Sequence, residues 1–220
     1  MDYGAEVELA AYVDAAGEER LRSEFGEVGA SSVEPGWADR WREFHRPVRA
    51  GGLWIGPPWE VPPADEPAVV VDPGRAFGTG GHPTTRTCIE LLARSARGSV
   101  LDAGCGSGVI AAAAVRLGFD PVIALDDDPA AVDAAIGTAA ANRVPVRVAL
   151  ADVLVDELPS VDLVVANIEL RAVDALLARR PAATAIVSGY LVGEMPSAAG
   201  WEHVERLELE GWAADHFVSS

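Results

Sequence analysis

The stretch from Leu101 to Gly108 reads L-D-A-G-C-G-S-G and constrains the fold more than any other part of the chain. The apolar run Ser99–Val100–Leu101 leads into Asp102, and glycines follow at positions 104, 106 and 108. An alanine-rich, proline-free segment then runs from Val109 to Leu117. This order predicts strand, glycine turn, helix. Glycine has no Cβ and tolerates φ > 0, so such a turn lets a ligand come close to the backbone. A dinucleotide fingerprint needs G-x-G-x-x-G, and its third position here is Val109. The spacing is instead G-x-G-x-G, with an acid two residues before the first glycine. That acid suits a ligand carrying ammonium and sulfonium charge, where a pyrophosphate would want none.

A second element of nucleotide recognition follows. Pro121 to Leu125 is an apolar run that ends in Asp126–Asp127–Asp128. An acid at the tip of the second strand, about 20 residues beyond the glycines, accepts hydrogen bonds from ribose hydroxyls, and Asp126 stands at that place. Pro129 suits the first turn of the next helix; on a plainer reading the acids only cap that helix. The glycine spacing together with the acid resembles the pattern of S-adenosylmethionine-dependent methyltransferases.

The 220 residues suffice for one α/β domain and a small appendage. Strands are predicted at 68–72, 99–103, 121–126, 146–150, 161–166, 184–188, 203–209 and 212–218. Helices are predicted at 83–95, 108–117, 129–141, 170–178 and 190–199. This alternation implies an α/β fold, a doubly wound and mainly parallel seven-stranded sheet covered on both faces. Only a short turn at Glu210–Gly211 separates the last two strands, so the last strand should run antiparallel. Residues 1–36 read as a small α+β substrate-recognition region, with a strand at 5–13 and a helix at 18–28. Residues 37–67 read as a linker of helix and hairpin. Trp37, Trp41 and Phe44 recur on one helical face, and Gly51–Gly52 separates two apolar pieces as in a hairpin. Residues 68–220 form the catalytic domain on this reading.

Composition narrows the partners. Asp and Glu number 34 against 17 Arg and no Lys, a net charge of −17. Such a surface repels nucleic-acid phosphate and favours a basic protein partner. Direct nucleic-acid binding is therefore not expected, and solubility alone accounts for much of the acidity. The absence of lysine fits either a coding bias or an enzyme that modifies lysine. Cys88 and Cys105 lack metal-type spacing, so no metal site is expected and both thiols read as reduced core residues of a cytoplasmic protein. The first residues are acidic and carry no apolar core of a signal peptide. No apolar run reaches membrane-spanning length, so no membrane partner is expected.

A second constellation spans Phe77 to Thr85, F-G-T-G-G-H-P-T-T. Its glycines suit a loop that closes over a ligand, and its threonines supply hydroxyls. His82 reads as a catalytic candidate or as a loop histidine that holds backbone. Asn167 follows the strand 161–166, at the strand end where open α/β sheets bind ligands. Asp152 ends another strand and could meet an adenine amino group or merely cap a helix.

With these residues in view, the chain resembles the ribosomal protein L11 methyltransferase family. The matching segments are D-P-G-R-A-F-G-T-G-G-H-P-T-T (72–85), D-A-G-C-G-S-G (102–108), A-L-D-D-D-P (124–129), V-V-A-N-I (164–168) and S-G-Y-L (188–191). Segments 41–49 and 53–60 resemble that family's interdomain linker. The glycine turn is common to many methyltransferases, whereas the 77–85 stretch is far more specific. The resemblance implies S-adenosyl-L-methionine as cofactor, held by Thr85, Gly104, Asp126 and Asn167. Gly106 in the turn and Asp152 join this cofactor set. Asp102 would lie near the cofactor's amino group or behind the turn. The implied acceptor is a protein amine, a lysine or the N-terminus, on a basic ribosomal protein of the large subunit. The N-terminal region is about half the family's usual size, and Glu169 stands where the family has a small or apolar residue.

Three alternatives stay open on sequence alone: a methyltransferase for another protein lysine or a small molecule, a non-catalytic S-adenosylmethionine-binding protein, and a nicotinamide oxidoreductase, against which Val109 speaks. No residue stands out as a dedicated general base. Asn167 and nearby backbone carbonyls are the candidates to orient an amine.

Overall fold

The computed structural model describes residues 15–26, 29, 45–73 and 79–220. The predicted strand at 5–13 and the Trp37–Trp41–Phe44 face lie outside the described residues, as do positions 77 and 78 of the glycine-rich loop. The chain divides into two compact units, 1–41 and 42–220. Within the first, α1 spans Ala15–Phe25. Its Arg22 pairs with Glu18 one turn earlier, at 2.8 Å.

The second unit opens with a three-stranded sheet of β1 (Val48–Ala50), β2 (Leu53–Gly56) and β3 (Ala68–Val70). Strands β1 and β2 form a hairpin with Ala50 opposite Leu53. Gly51 and Gly52 both take positive φ, 58° and 76°, the geometry that matches the twist of paired strands. Strand β3 pairs with β2 in parallel. The predicted strand at 68–72 therefore joins the hairpin and leaves seven strands for the main sheet.

That sheet contains β4 (Val100–Ala103), β5 (Val122–Asp126), β6 (Val146–Leu150), β7 (Val161–Asn167), β8 (Ala182–Leu191), β9 (Trp201–Leu209) and β10 (Trp212–Ser219). Their order is β6-β5-β4-β7-β8-β10-β9. All pairs from β6 to β8 are parallel, and β10 runs antiparallel to both β8 and β9. The β9–β10 turn is Glu210–Gly211, with φ of 52° and 85°. Strands in the middle are buried on both sides, so their apolar residues alternate between two cores. Val100, Leu163, Val165 and Ile186 face one core with α2 (Pro83–Arg94), α3 (Val109–Arg116) and α4 (Pro129–Asn142). Leu101, Val164, Ala166, Ala185 and Val187 face the other core with α5 (Leu170–Ala178).

One predicted helix does not form. Strand β8 extends to Leu191, whose neighbour in β10 is Trp212, and no helix occupies 190–199. Gly193 and Pro196 weaken helical propensity there. Arg206 also takes up the Val192 and Glu194 carbonyls that a helix would use internally, at 3.2 and 2.8 Å.

The β4–α3 connection is held from several directions. Gly104 N and Cys105 N both donate to Leu125 O, at 2.9 and 3.0 Å. Gly108, at φ 74°, is the N-cap of α3 and has no side chain to cap it. Asp102 supplies the missing acceptor from the strand: its Oδ2 takes Ala111 N–H at 2.9 Å. Ala111 is the third helical residue, whose amide has no partner within the helix. Burial, with Asp102 only 1% exposed, pushes its carboxyl up to about 7 despite the Ala111 amide, and the nearby Asp126 charge adds to the rise.

A Cβ at Gly108 would stand 2.8 Å from the Cα of Ala135 on α4, on a backbone that L-residues avoid. Gly108→Ala should cost about 2–4 kcal/mol from left-handed strain and overpacking, read by denaturant unfolding; an unchanged midpoint would contradict this packing. Asp102 binds its proton more tightly folded than unfolded, since its carboxyl is raised from 3.8 to about 7. Its contribution is complete below pH 3.8 and is lost as pH rises to about 7, at about 1.4 kcal/mol per pH unit. Asp102→Asn should therefore gain stability relative to the parent as pH rises from 3.8 to about 7. Parallel pH profiles for the two proteins would refute the buried, proton-binding carboxyl.

Candidate functional site

The candidate site lies where β4, β5 and β7 end. A cleft of about 160 Å³ is lined by Gly104, Asp126, Asp127, Ala151, Asp152, Val153, Leu154, Ile168 and Ala172. Three residues expected from sequence, Gly104, Asp126 and Asp152, thus share one cleft. Gly104 has φ 72°, and a Cβ there would meet Ile168 Cγ2 at 2.5 Å. The turn must be glycine for Ile168 to lie over it.

Asp126 is oriented by backbone on both sides. Its Oδ2 accepts from Gly106 N at 2.8 Å, and its Oδ1 accepts from Asp128 N at 3.0 Å. Each carboxylate oxygen keeps a further lone pair for a ligand hydroxyl. Gly106 acts here through its amide, which ties the turn to the end of β5. Asp128 caps α4 by accepting from Ala130 N at 2.8 Å, so the neighbouring acids divide the tasks. Asp152 is bound into its own loop: Oδ1 accepts from Leu154 N at 2.8 Å and its amide donates to Asp156.

Thr85 and Asn167 meet outside the cleft lining. Asn167 Nδ2 donates to Thr85 Oγ1 at 3.3 Å, across 82 residues of sequence. Thr85 sits in the first turn of α2 and is 1% exposed, while Asn167 is half-buried. The Asn167 loop is seated on β8. Ile168 N donates to Ser188 O at 3.1 Å. A Cβ at Gly189 would collide with Ile168 O at 1.9 Å.

Of the two positions expected for Asp102, the structure takes the one behind the turn, bonded to Ala111 and outside the cleft lining. His82 matches the backbone-holding reading. It is the N-cap of α2, and its Nδ1 lies 2.7 Å from Thr84 Oγ1 and accepts from Thr84 N at 3.4 Å. Burial lowers its pKa, and Glu210 opposes that. Its ring packs edge-on against Trp212, centroids 4.8 Å apart. Cys105 in the turn and Cys88 are buried, and burial pushes both thiols up. Among the described residues no cluster of His, Cys, Asp or Glu could hold a metal ion, and no helix is long and apolar enough to cross a membrane.

Sequence reasoning missed the apolar half of the cleft, Val153, Leu154, Ile168 and Ala172. Ile168 was legible only as the residue after Asn167; Leu154 enters from the turn after β6 and Ala172 from the first turn of α5. Carboxylates and apolar side chains in one cleft fit the mixed chemistry of a nucleoside, with Asp126 as the partner for its hydroxyls. Gly104 itself lines the cleft, its Cα side closed by Ile168.

Comparison with known proteins agrees with this geometry. A ribosomal protein L11 methyltransferase from Exiguobacterium sibiricum is 36% identical over 220 residues, covering 89% of this chain and 70% of the relative. One from Pelotomaculum thermopropionicum is 41% identical over 199 residues, covering 82% of this chain and 65% of the relative. Among solved structures, a ribosomal protein L11 methylase from Lactobacillus delbrueckii subsp. bulgaricus superposes with a TM-score of 0.72 at 26% identity. It covers 80% of this chain and all of that chain. A putative methyltransferase, yhhF, from Escherichia coli shares the fold at 18% identity, with a TM-score of 0.54. The sequence model of ribosomal protein L11 methyltransferase matches residues 3–219, and with that span the chain belongs to the ribosomal protein L11 methyltransferase family.

Proposed function

We propose that this chain transfers methyl from S-adenosylmethionine to a protein amine, lysine or N-terminal, on a ribosomal protein, with L11 as the acceptor. The Thr85–Asn167 hydrogen bond carries this reading. It fixes a side-chain amide at the end of β7, one residue from Ile168 in the cleft wall. The named relatives supply the acceptor.

When bound, S-adenosylmethionine supplies a methyl carbon already activated by its sulfonium. The residues of the chain bind and align. Asp126 is the ribose ligand, and Gly104 and Gly106 bring backbone against the nucleoside. Asp152 lies where the adenine edge would reach, flanked by Val153 and Leu154. With Nδ2 directed to Thr85, Asn167 keeps Oδ1 for an N–H of the acceptor amine. That hydrogen bond aims the nitrogen lone pair at the methyl carbon; the new C–N bond forms as the C–S bond breaks. Alignment of this kind can contribute roughly 7–11 kcal/mol. The acceptor must arrive neutral, and a free lysine has a pKa near ~10.4. Desolvation among Ile168 and the strand ends lowers that value. Asp102 supports the turn from behind and touches neither reactant.

Asp126→Ala should weaken S-adenosylhomocysteine binding by about 1–3 kcal/mol, measured by calorimetry, with NAD unbound by either protein. Wild-type affinity in that variant would remove Asp126 from the site. For the acceptor, purified bacterial ribosomal protein L11 and labelled S-adenosylmethionine are incubated with the chain, and peptide mass spectrometry locates the label. The expected result is methyl on lysine or the N-terminal amine, falling strongly in Asn167→Ala. Label that enters only small molecules, or no acceptor at all, would overturn the reading.

A further inference from the structure

The connection after β8 leaves three apolar side chains in solvent where a helix was predicted. Leu191, Val192 and Met195 are 51%, 39% and 57% exposed. They are not floppy ends, because a buried ionic cluster holds the segment. Asp215, fully buried on β10, accepts from Arg206 Nε at 2.9 Å and Nη2 at 2.8 Å. Tyr190 OH donates to it at 2.8 Å, and His203 Nε2 lies at 2.7 Å. Burial alone would raise the Asp215 carboxyl, but these three partners hold it below the usual carboxylate range. The same Arg206 guanidinium reaches out to Val192 O, Glu194 O and Met195 Sδ, the last at 3.4 Å. Val192 N donates to Gly211 O at 3.0 Å and Glu194 Oε2 accepts from Leu191 N at 2.7 Å. The apolar step is thus rigid before anything binds it, which lowers the ordering cost of association.

This step adjoins the reaction site. Asn167 pairs with Ser188 on β8, and Leu191 follows three residues later, about 10 Å along an extended strand. Leu191 is the neighbour of Trp212, which packs on His82 at the start of the helix carrying Thr85. The surroundings are acidic: Glu169 beside Ile168 and Glu194 within the step are exposed, as is Glu210 of the adjoining turn, which pairs with Arg86 at 3.2 Å.

We propose that Leu191, Val192 and Met195 form the docking step for the protein acceptor, taking a segment in which an apolar residue is flanked by basic ones. The proposal rests on the functional reading above and names how that acceptor is held. Charge complementarity selects the partner: the rim is acidic and the chain carries −17 overall, which steers and orients a basic segment. Three side chains present far less than the ~800 Å² per partner of a stable dimer, so a peptide-sized contact suits the step better than a second copy of this chain.

The test uses the full chain, purified ribosomal protein L11 as acceptor, and the exposed positions only. The pair V192S and M195S should raise KM for L11 by about 3–10-fold, the loss of two partly buried apolar contacts, with kcat and S-adenosylhomocysteine affinity unchanged. M195R should raise it further, because it adds a charge of the acceptor's own sign. Val61→Ser, at an exposed apolar residue elsewhere, should leave KM alone. Labelled L11 with the same KM in all variants would overturn the docking step and leave the functional reading intact. A wild-type chain that binds S-adenosylhomocysteine yet labels no L11 would overturn the functional reading, and the docking step with it. A dimer that M195R dissociates without changing KM would assign the step to self-association instead.

Discussion

The hydrogen bond from Gly106 N to Asp126 and the one from Ala111 N to Asp102 together hold the turn on which the site is built. Three glycines with positive φ cannot hold a shape by themselves, because their backbone is the least restricted in the chain. Two carboxylates from adjacent strands remove that freedom. One ties the turn to β5, the other anchors the first turn of α3 from beneath. The arrangement costs a buried carboxyl at Asp102 that resists ionisation, and it leaves Asp126 aligned at the cleft wall with lone pairs to spare.

The second constraint is the packing of glycine against backbone at the strand ends. Gly189 accommodates the carbonyl of Ile168, and Gly104 accommodates its side chain. Ile168 is therefore wedged between the β8 strand and the glycine turn, and Asn167 beside it is turned toward Thr85. The cleft wall and the Asn167 amide are set by one short loop, so a shift of either glycine would move both. This coupling suits a reaction in which catalysis is mainly alignment.

The outer part of the sheet is organised differently. Where apolar side chains fill the middle, a carboxylate with three polar partners sits between β8, β9 and β10. A buried ion pair adds less to stability than its Coulomb attraction suggests, since both charges lose water. What it adds here is position: Arg206 has donors left over after Asp215 is satisfied, and they fix the carbonyls of Val192 and Glu194. An extended, apolar, solvent-facing segment persists beside the site.

Local features were legible because they depend on neighbours in the chain. The glycine spacing at 104–108, the acid at 126 and the hairpin turns at Gly51–Gly52 and Glu210–Gly211 each follow from backbone geometry over a few residues. The mainly parallel sheet followed from the alternation of strands and helices and the antiparallel last strand from the short turn before it, whereas the departure of the strand at 68–70 to the hairpin did not show in the sequence. The predicted helix at 190–199 failed because its carbonyls are taken by Arg206, a partner that periodicity cannot reveal. Likewise only the tertiary structure could turn Asp102 inward to Ala111, join Thr85 to Asn167 across 82 residues, and gather Tyr190, His203, Arg206 and Asp215. Sequence spacing encodes hydrogen bonds within a turn; contacts between strand ends depend on strand order, which emerges only when the two cores close on either side of the sheet.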